Sequence, residues 1–573
     1  MSTAKMFRAA CLALGLVITG ASCTGPQQDS GRNGVRGGTL QVLSADDIDG
    51  LDTAVTYTPN GIAMARAYAR TLYGYNLAGP PDRVTEPVPD IAAGPPQRSA
   101  DQRTYTFTLR PGVRYAPPVN REVIAQDFIT AIQRLYDKTT PSPGLQYANL
   151  IAGATAFGAR KASRISGLTA PDPHTLKITL DRPAGDLLSI LTMSFFAPVP
   201  GEYAASYAVG DNYSGHVVGS GPYTLTTYDP GKLVVLNRNP NWDPATDPLH
   251  KAWVDRIQIR LGVSISSIQR AIEREEADLS LDSHVPATQL AALRADPERS
   301  RRLSVNPTGS LLFLTLGTHR GAGAIADVRV RQAVNYAIDK VAYRDALAGR
   351  HAPAGELAST ILAPGSLGYH PYDLYPTPGS RGDPAKAKAL LAEAGYPNGL
   401  TLGFVALGND RYAAAIKPIQ ESLARAGIDL KVKTYEGGDL WEKSLAIPAK
   451  RREHQLGHTI WNPDFRGDDN ARGTIVPQFD GRLLHSDLVA NFSEYDNPAV
   501  NRLIDRALAE PDPARRATLW SQIDQRIMRD APLVPLLWET YSFQWASRVH
   551  GWRYDPWTAT PDLTAVWLDP QGP

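Results

Sequence analysis

The chain has 573 residues, of which 43% are hydrophobic and 20% charged, a balance that can fill a core and excludes wholesale disorder. Its formal net charge is +1, so no global basic field exists to hold nucleic acid. The length implies more than one domain, and no segment after the N-terminus approaches the roughly 18–20 uninterrupted apolar residues of a membrane span.

In chain order, the first element is an address. Lys5 and Arg8 form a basic start, Ala9 to Ile18 an apolar run, and Gly20-Ala21-Ser22 a small-residue approach to Cys23. This is the pattern of a secretory signal over 1–22, and the run is too short to cross a bilayer. The small residues before Cys23 resemble a bacterial lipobox, in which the thiol is lipidated and becomes the first residue. Gly20 departs from the aliphatic residue usual there, which leaves plain secretion, or a periplasmic location, as the alternative. Cys11 would be removed with the signal, so the mature chain would hold one cysteine and no disulfide. The polar residues that follow, 23–36, read as a flexible tether.

Next come short strands and turns. Thr39 to Leu43 is a strand candidate, and Tyr105, Phe107 and Leu109 alternate as in a half-buried strand. Asn120 to Tyr136 has helical spacing through Val123, Phe128, Ile132 and Leu135. Leu176, Ile178 and Leu180 alternate again. Tyr223 to Leu236 reads as a hairpin reversed at Asp229-Pro230-Gly231, and Val254 to Leu261 as one more strand.

From about residue 325 the pattern turns helical. Asp327 can cap a helix bearing Val330, Ala333, Val334, Ala337 and Val341. Asp383-Pro384, Asn497-Pro498 and Asp512-Pro513 each pair a capping side chain with a proline at the first helical position. A helix from Tyr412 to Ala426 runs into the alternating strand Ile428 to Val432. Helix followed by strand, repeated, indicates an α/β unit after a strand-rich first half.

Five segments, in order, resemble the extracellular solute-binding proteins of family 5, the peptide and nickel type. They are Tyr105 to Tyr115 with the helix around Ala125-Gln126-Asp127-Phe128, Gly219 to Tyr223, Arg238 to Trp242, Asp327 to Asp339, and Asp383 to Tyr396. The resemblance implies an α/β fold of two hinged lobes, of the periplasmic-binding-protein type, with an extra subdomain inserted in lobe one. Lobe one would combine 37–85, 190–308 and 538–573, the insertion 86–189, and lobe two 309–537. The chain would cross near Asn306 to Thr315 and return near Pro535 to Ser542.

The function implied is capture of oligopeptides or dipeptides by lobe closure, and delivery to a membrane permease with its ATPase subunits. The protein would be a monomer anchored outside the cytoplasmic membrane through Cys23, with no cofactor and no catalytic role. In the family, an acid after a tryptophan in lobe two holds the peptide ammonium, and Trp461-Asn-Pro-Asp464-Phe465 matches that position. Asp464 would take the amine and Trp461 wall the pocket; a loop or capping aspartate is the alternative. Asp468 and Asp469 add negative charge that would favour basic or arginine-containing peptides, unless both are solvated. Arg411, beside Tyr412, lies roughly where the family places a basic ligand residue, and a surface arginine is the competing reading.

Other signals are weaker. Asp46-Asp-Ile-Asp-Gly-Leu-Asp52 lacks the closing glutamate of a calcium loop and reads as a polar turn at the cleft edge. His454 and His458 have no evident third metal ligand. No nucleophile elbow, phosphate loop or His-Glu-x-x-His is present. Two alternatives remain open: the same fold binding an oligosaccharide, nickel chelate or haem, and a secreted hydrolase or biosynthetic protein reusing it.

Overall fold

A computed structural model describes residues 34–79, 83–140, 142–348, 355–408, 412–435, 439–466, 470–485, 490–555 and 559–570. The capping chemistry expected from sequence forms as expected. Asp327 accepts from Arg329 N, Asp383 from Lys386 N, Asn497 from Ala499 N and Asp512 from Arg515 N. Each bond satisfies an amide that the first helical turn would otherwise orphan. The helix expected from Asn120 is shorter, Ala125–Arg134. Asn120 has φ 58°, outside the helical region, and Arg114 bridges Glu122 in an extended pairing. The helix begins only where Asp127, at its third position, accepts from Ile124 N at 3.0 Å.

Three larger sheets organise the described residues. A five-stranded sheet has the order Leu279–Ser280, Thr39–Leu43, Arg256–Arg260, Leu233–Arg238, Tyr223–Asp229, the first two pairings parallel and the rest antiparallel. A four-stranded antiparallel sheet is built from Gln97–Arg98, Thr104–Thr108, Thr175–Thr179 and Leu168–Asp172. A six-stranded sheet runs Gly355–Leu357, Leu533–Gln544, Leu303–Leu316, Leu456–Trp461, Leu400–Leu407, Ile428–Tyr435.

Each sheet has its own apolar core. One is drawn from residues between 311 and 538, a second from 54–218 together with Phe465, and a third from 40–281 together with 545–568. Two long antiparallel strands, Leu303–Leu316 and Leu533–Gln544, run out of the first of these, and Trp545, directly after the second strand, belongs to the third. Their pairing is irregular at two places, between Pro307 and Leu311 and again between Leu312 and Phe313. Leu303 to Pro307 face Gln544 to Thr540, the register shifts, and Leu311 onward face Trp538 and its predecessors. Pro307 brings no N–H to the ladder, and Thr308 bonds through its hydroxyl to Glu539 O at 3.0 Å instead.

The Gly219-Ser-Gly-Pro-Tyr223 segment has a physical reason for its glycines. It lies on the end of the helix Pro59–Tyr68, with Gly221 N donating to Tyr68 O at 2.8 Å. A Cβ on Gly219 would stand 1.9 Å from Tyr68 O, and one on Gly221 2.6 Å from the Tyr68 carbonyl carbon. Both obstacles are backbone, so nothing can rotate away. A Gly219→Ala variant will therefore be destabilised by about 1–3 kcal/mol, seen as a lower urea midpoint. An unchanged midpoint would show that the helix end can yield.

Candidate ligand-binding site

Asp464 follows the strand Leu456–Trp461, whose backbone pairs with Leu311–Leu316 and so fixes where the chain emerges. The next residues, Asp464, Phe465 and Arg466, reach among side chains of the first 200 residues and of the C-terminal segment. Phe465 joins the second core and meets the Tyr147 ring edge-on, centroids 5.9 Å apart. Arg466 Nε donates to Asp555 at 2.6 Å, and Tyr75 OH donates to Arg466 O at 3.2 Å. Arg472 Nη1 donates to Asp186 at 2.8 Å, with both side chains buried. Beside these contacts lies a cavity of about 90 Å³ lined in part by Arg66, Phe195, Asp464 and Arg466.

Two hydroxyls meet the Asp464 carboxylate from the far side. Tyr57 OH donates to Oδ1 at 2.5 Å and Tyr147 OH donates to Oδ2. Burial raises the Asp464 pKa to about 7, against the pull of both hydroxyls and of the Arg472 charge. Burial, and then the charge of Asp464, hold both tyrosine hydroxyls well above their ordinary range. Both therefore stay neutral donors. The carboxylate is thus buried with neutral donors, while Arg472 is committed to Asp186. A buried acid in that condition is stabilised by any cation that replaces the missing solvent.

The acidic turn near the N-terminus serves this arrangement. Asp49 accepts from Tyr57 N at 2.5 Å, Thr58 N at 2.8 Å and Thr58 Oγ1 at 2.7 Å. It thereby fixes the loop that presents Tyr57. Asp52 accepts from Arg134 Nη2 at 2.6 Å and Gly210 N at 2.8 Å. The turn is structural, its acids being engaged by donors of the protein itself.

Of the predicted ligand residues that lie among the described ones, Asp464 lines the cavity, and Trp461 and Tyr412 do not. Trp461 stands behind Asp464: its ring meets Tyr57 at 6.4 Å and its N–H donates to Gly473 O at 2.9 Å. Gly473 permits this close pass, since a Cβ there would sit 3.0 Å from Asp464 N. Tyr412 lies elsewhere, its hydroxyl donating to Glu539 at 3.3 Å and its ring against His458. Arg411, Asp468, Asp469 and Cys23 fall outside the described residues.

His458 is a core residue hydrogen-bonded to Tyr343 at 2.7 Å, with burial lowering its pKa to about 4. Asp90, Asp247 and His250 have metal-like spacing. Arg70 bridges the two acids, however, at 2.6 Å from Asp90 and 3.4 Å from Asp247, and supplies the positive charge there. The site residues that sequence did not point to are Tyr57, Tyr147, Arg66 and Arg466.

Comparison with known proteins agrees with this architecture. A family model described as bacterial extracellular solute-binding proteins, family 5 Middle, matches residues 86–480. The chain is 27% identical over 480 residues to Heme-binding protein A of Haemophilus influenzae, covering 80% of each. It is 27% identical over 481 residues to Di/tripeptide-binding protein 1 of Pseudomonas aeruginosa, covering 80% of this chain and 82% of that one. The solved structure of clavulanic acid biosynthesis oligopeptide binding protein 2 superposes with a TM-score of 0.83 at 30% identity, covering 95% of this chain and 99% of that one.

Proposed function

The chain belongs to the bacterial extracellular solute-binding proteins of family 5, and from that premise we propose that it captures short peptides between two closing lobes and hands them to a membrane transporter. The observation that carries this is Asp464: a buried carboxylate, facing a cavity, held by two neutral hydroxyls. A peptide ammonium supplies the charge the site lacks, through a charge-assisted bond. Di/tripeptide-binding protein 1, similar over most of both chains, supports peptide as the solute.

Lobe one is 37–85, 190–308 and 538–573, the inserted subdomain 86–189, and lobe two 309–537. The three separate cores support this division. The broken pairing at Pro307 to Leu311 supports a hinge there. In the open form Asp464 and the tyrosines stand apart; ligand selects the closed form by its preference for it. The protein acts as a carrier, anchored through Cys23 outside the cytoplasmic membrane, and its partners are an ABC permease with its ATPase subunits.

Thermal-shift titration over di- to tetrapeptides tests the solute. Free ligand at 100 times its dissociation constant will stabilise the protein by about 2.7 kcal/mol. Lysine, arginine, alanine and glutamate versions would show whether basic peptides are preferred. No shift with any peptide, against a clear shift with an oligosaccharide or haem, would overturn the proposal.

A further inference from the structure

Asp186 and Arg472 form a buried ion pair close to Asp464. Arg472 Nη1 donates to Asp186 Oδ2 at 2.8 Å, and the two side chains are 6% and 3% exposed. Neither residue lines the cavity. Asp186 directly precedes the helix Leu187–Ile190 but makes no side-chain capping bond to it. Arg472 lies on the helix Asn470–Phe479. Its Nε, like Asp186 Oδ1, is buried with no hydrogen-bond partner among the described residues. A buried pair with so few other bonds is a weak source of stability, because its lost hydration is poorly replaced.

The position of the pair supplies another reason for it. Arg472 is one residue from Gly473, against which the Asp464 backbone packs. Its guanidinium lies 5.4 Å from the centroid of the Tyr147 ring, and Tyr147 OH donates to Asp464. Burial raises the Asp464 pKa, and the Tyr147 and Tyr57 hydroxyls and the Arg472 charge oppose that rise. Arg472 is the cation among those groups. A fixed cation beside an acid competes with any cation arriving from outside, since a carboxylate already neutralised gains less from a second positive charge. Held against Asp186, Arg472 presents Asp464 with a neutral pair instead of a bare charge.

We propose that Asp186 is a positioning residue for ligand capture: it holds and neutralises Arg472, and so keeps Asp464 available to the cation of the ligand. The assignment rests on the peptide-capture proposal, in which that cation is a peptide ammonium, and adds to it a residue that touches no ligand. Asp186 belongs to 86–189 and Arg472 to 309–537, the segments assigned to the inserted subdomain and lobe two. On that division the pair forms as the cleft closes. With the cleft open, Arg472 is without Asp186 and shares its lobe with Asp464. With it closed, Asp186 takes the arginine and the acid is released to the ligand. Closure and readiness to hold a cation are thereby coupled, which gives the ligand a preference for the closed form.

Calorimetric titration of the whole protein tests this with L-alanyl-L-alanine, its N-acetyl form, and ethylammonium as a bare cation. Asp186→Asn keeps the shape of the side chain and removes its charge; Asp186→Ser removes the same charge should the first variant not fold. Either will weaken the free-amine peptide at least about tenfold relative to the acetylated one, the scale of one charge-assisted interaction. Removing the arginine as well, in Asp186→Asn/Arg472→Met, will recover the wild-type ratio of the two affinities. A loss of packing alone would weaken both peptides equally, and a second truncation would not repair it. Equal weakening of both peptides, or no weakening of either, overturns the role of Asp186 and leaves peptide capture intact. If neither peptide binds, while ethylammonium binds the wild type and is weakened in Asp186→Asn, Asp186 keeps its role and the peptide proposal falls. Failure of the wild type to bind any of the three overturns both.

Discussion

Asp464→Asn will bind amine-terminated peptides roughly 10- to 150-fold more weakly than the wild type, the equivalent of losing one charge-assisted hydrogen bond. The substitution keeps the shape of the side chain, and its amide oxygen can still accept from Tyr57 or Tyr147. What it removes is the charge, and an ammonium in a site stripped of solvent needs that charge most. N-acetylated peptides, which offer no cation, will bind both proteins alike. The empty variant will also be no less stable than the wild type, because the wild type buries a carboxylate whose pKa burial raises to about 7. Calorimetry on matched free and acetylated peptides decides the matter. An Asp464→Asn affinity within a factor of two of wild type for the free amine would remove Asp464 from recognition.

Peptide affinity will fall as the medium is acidified below about pH 7, and this dependence will vanish in Asp464→Asn. The direction follows from where the proton is held. In the closed, empty form burial raises the Asp464 pKa to about 7. In a solvated carboxylate it is near 3.9. Between those values the closed, empty form binds a proton that the open form does not. Each pH unit downward through that window therefore favours empty closure by up to about tenfold. Above pH 7 both forms are ionised and the advantage is gone. A bound ammonium acts oppositely, since it needs the carboxylate and drives the proton off. Acid thus promotes the competitor of the ligand, and binding at pH 6 will release protons. Titration in buffers of different ionisation enthalpy counts those protons. A pH-independent affinity from 5 to 8, or no proton release, would contradict the assignment.

What sequence disclosed depended on the range over which the chemistry acts. The four helix starts at Asp327, Asp383, Asn497 and Asp512 were legible because a cap and the amide it satisfies lie two or three residues apart. The hairpin Tyr223–Asp229 and Leu233–Arg238 was legible for the same reason, its turn being local. The helix Ala125–Arg134 begins later than the apolar spacing predicts, because Val123 keeps that spacing while Asn120 leaves the helical region. The fold and Asp464 emerged only through resemblance, since an aspartate after a tryptophan has no meaning by itself. Tyr57 and Tyr147 were invisible: they are 407 and 317 residues from Asp464, and tyrosines are common in this chain. Arg66 was hidden likewise, on the helix Pro59–Tyr68, most of whose residues are buried.

The paired strands Leu303–Leu316 and Leu533–Gln544 also dictate an order of assembly. All residues of the core between 311 and 538 lie in one uninterrupted stretch, so that part can condense as soon as its own chain exists. The core begun at Leu40 is different. It lacks Trp545, Ala546, Val549, Leu563, Val566 and Leu568 until the final residues arrive. Contacts this distant in sequence must wait for everything between them to become compact, because closing an unfolded loop of that length costs entropy with no prior gain. The portion made first is therefore the portion completed last. Its half-built sheet stays dependent on the C-terminal segment throughout folding, and loss of that short segment harms residues more than 500 positions away.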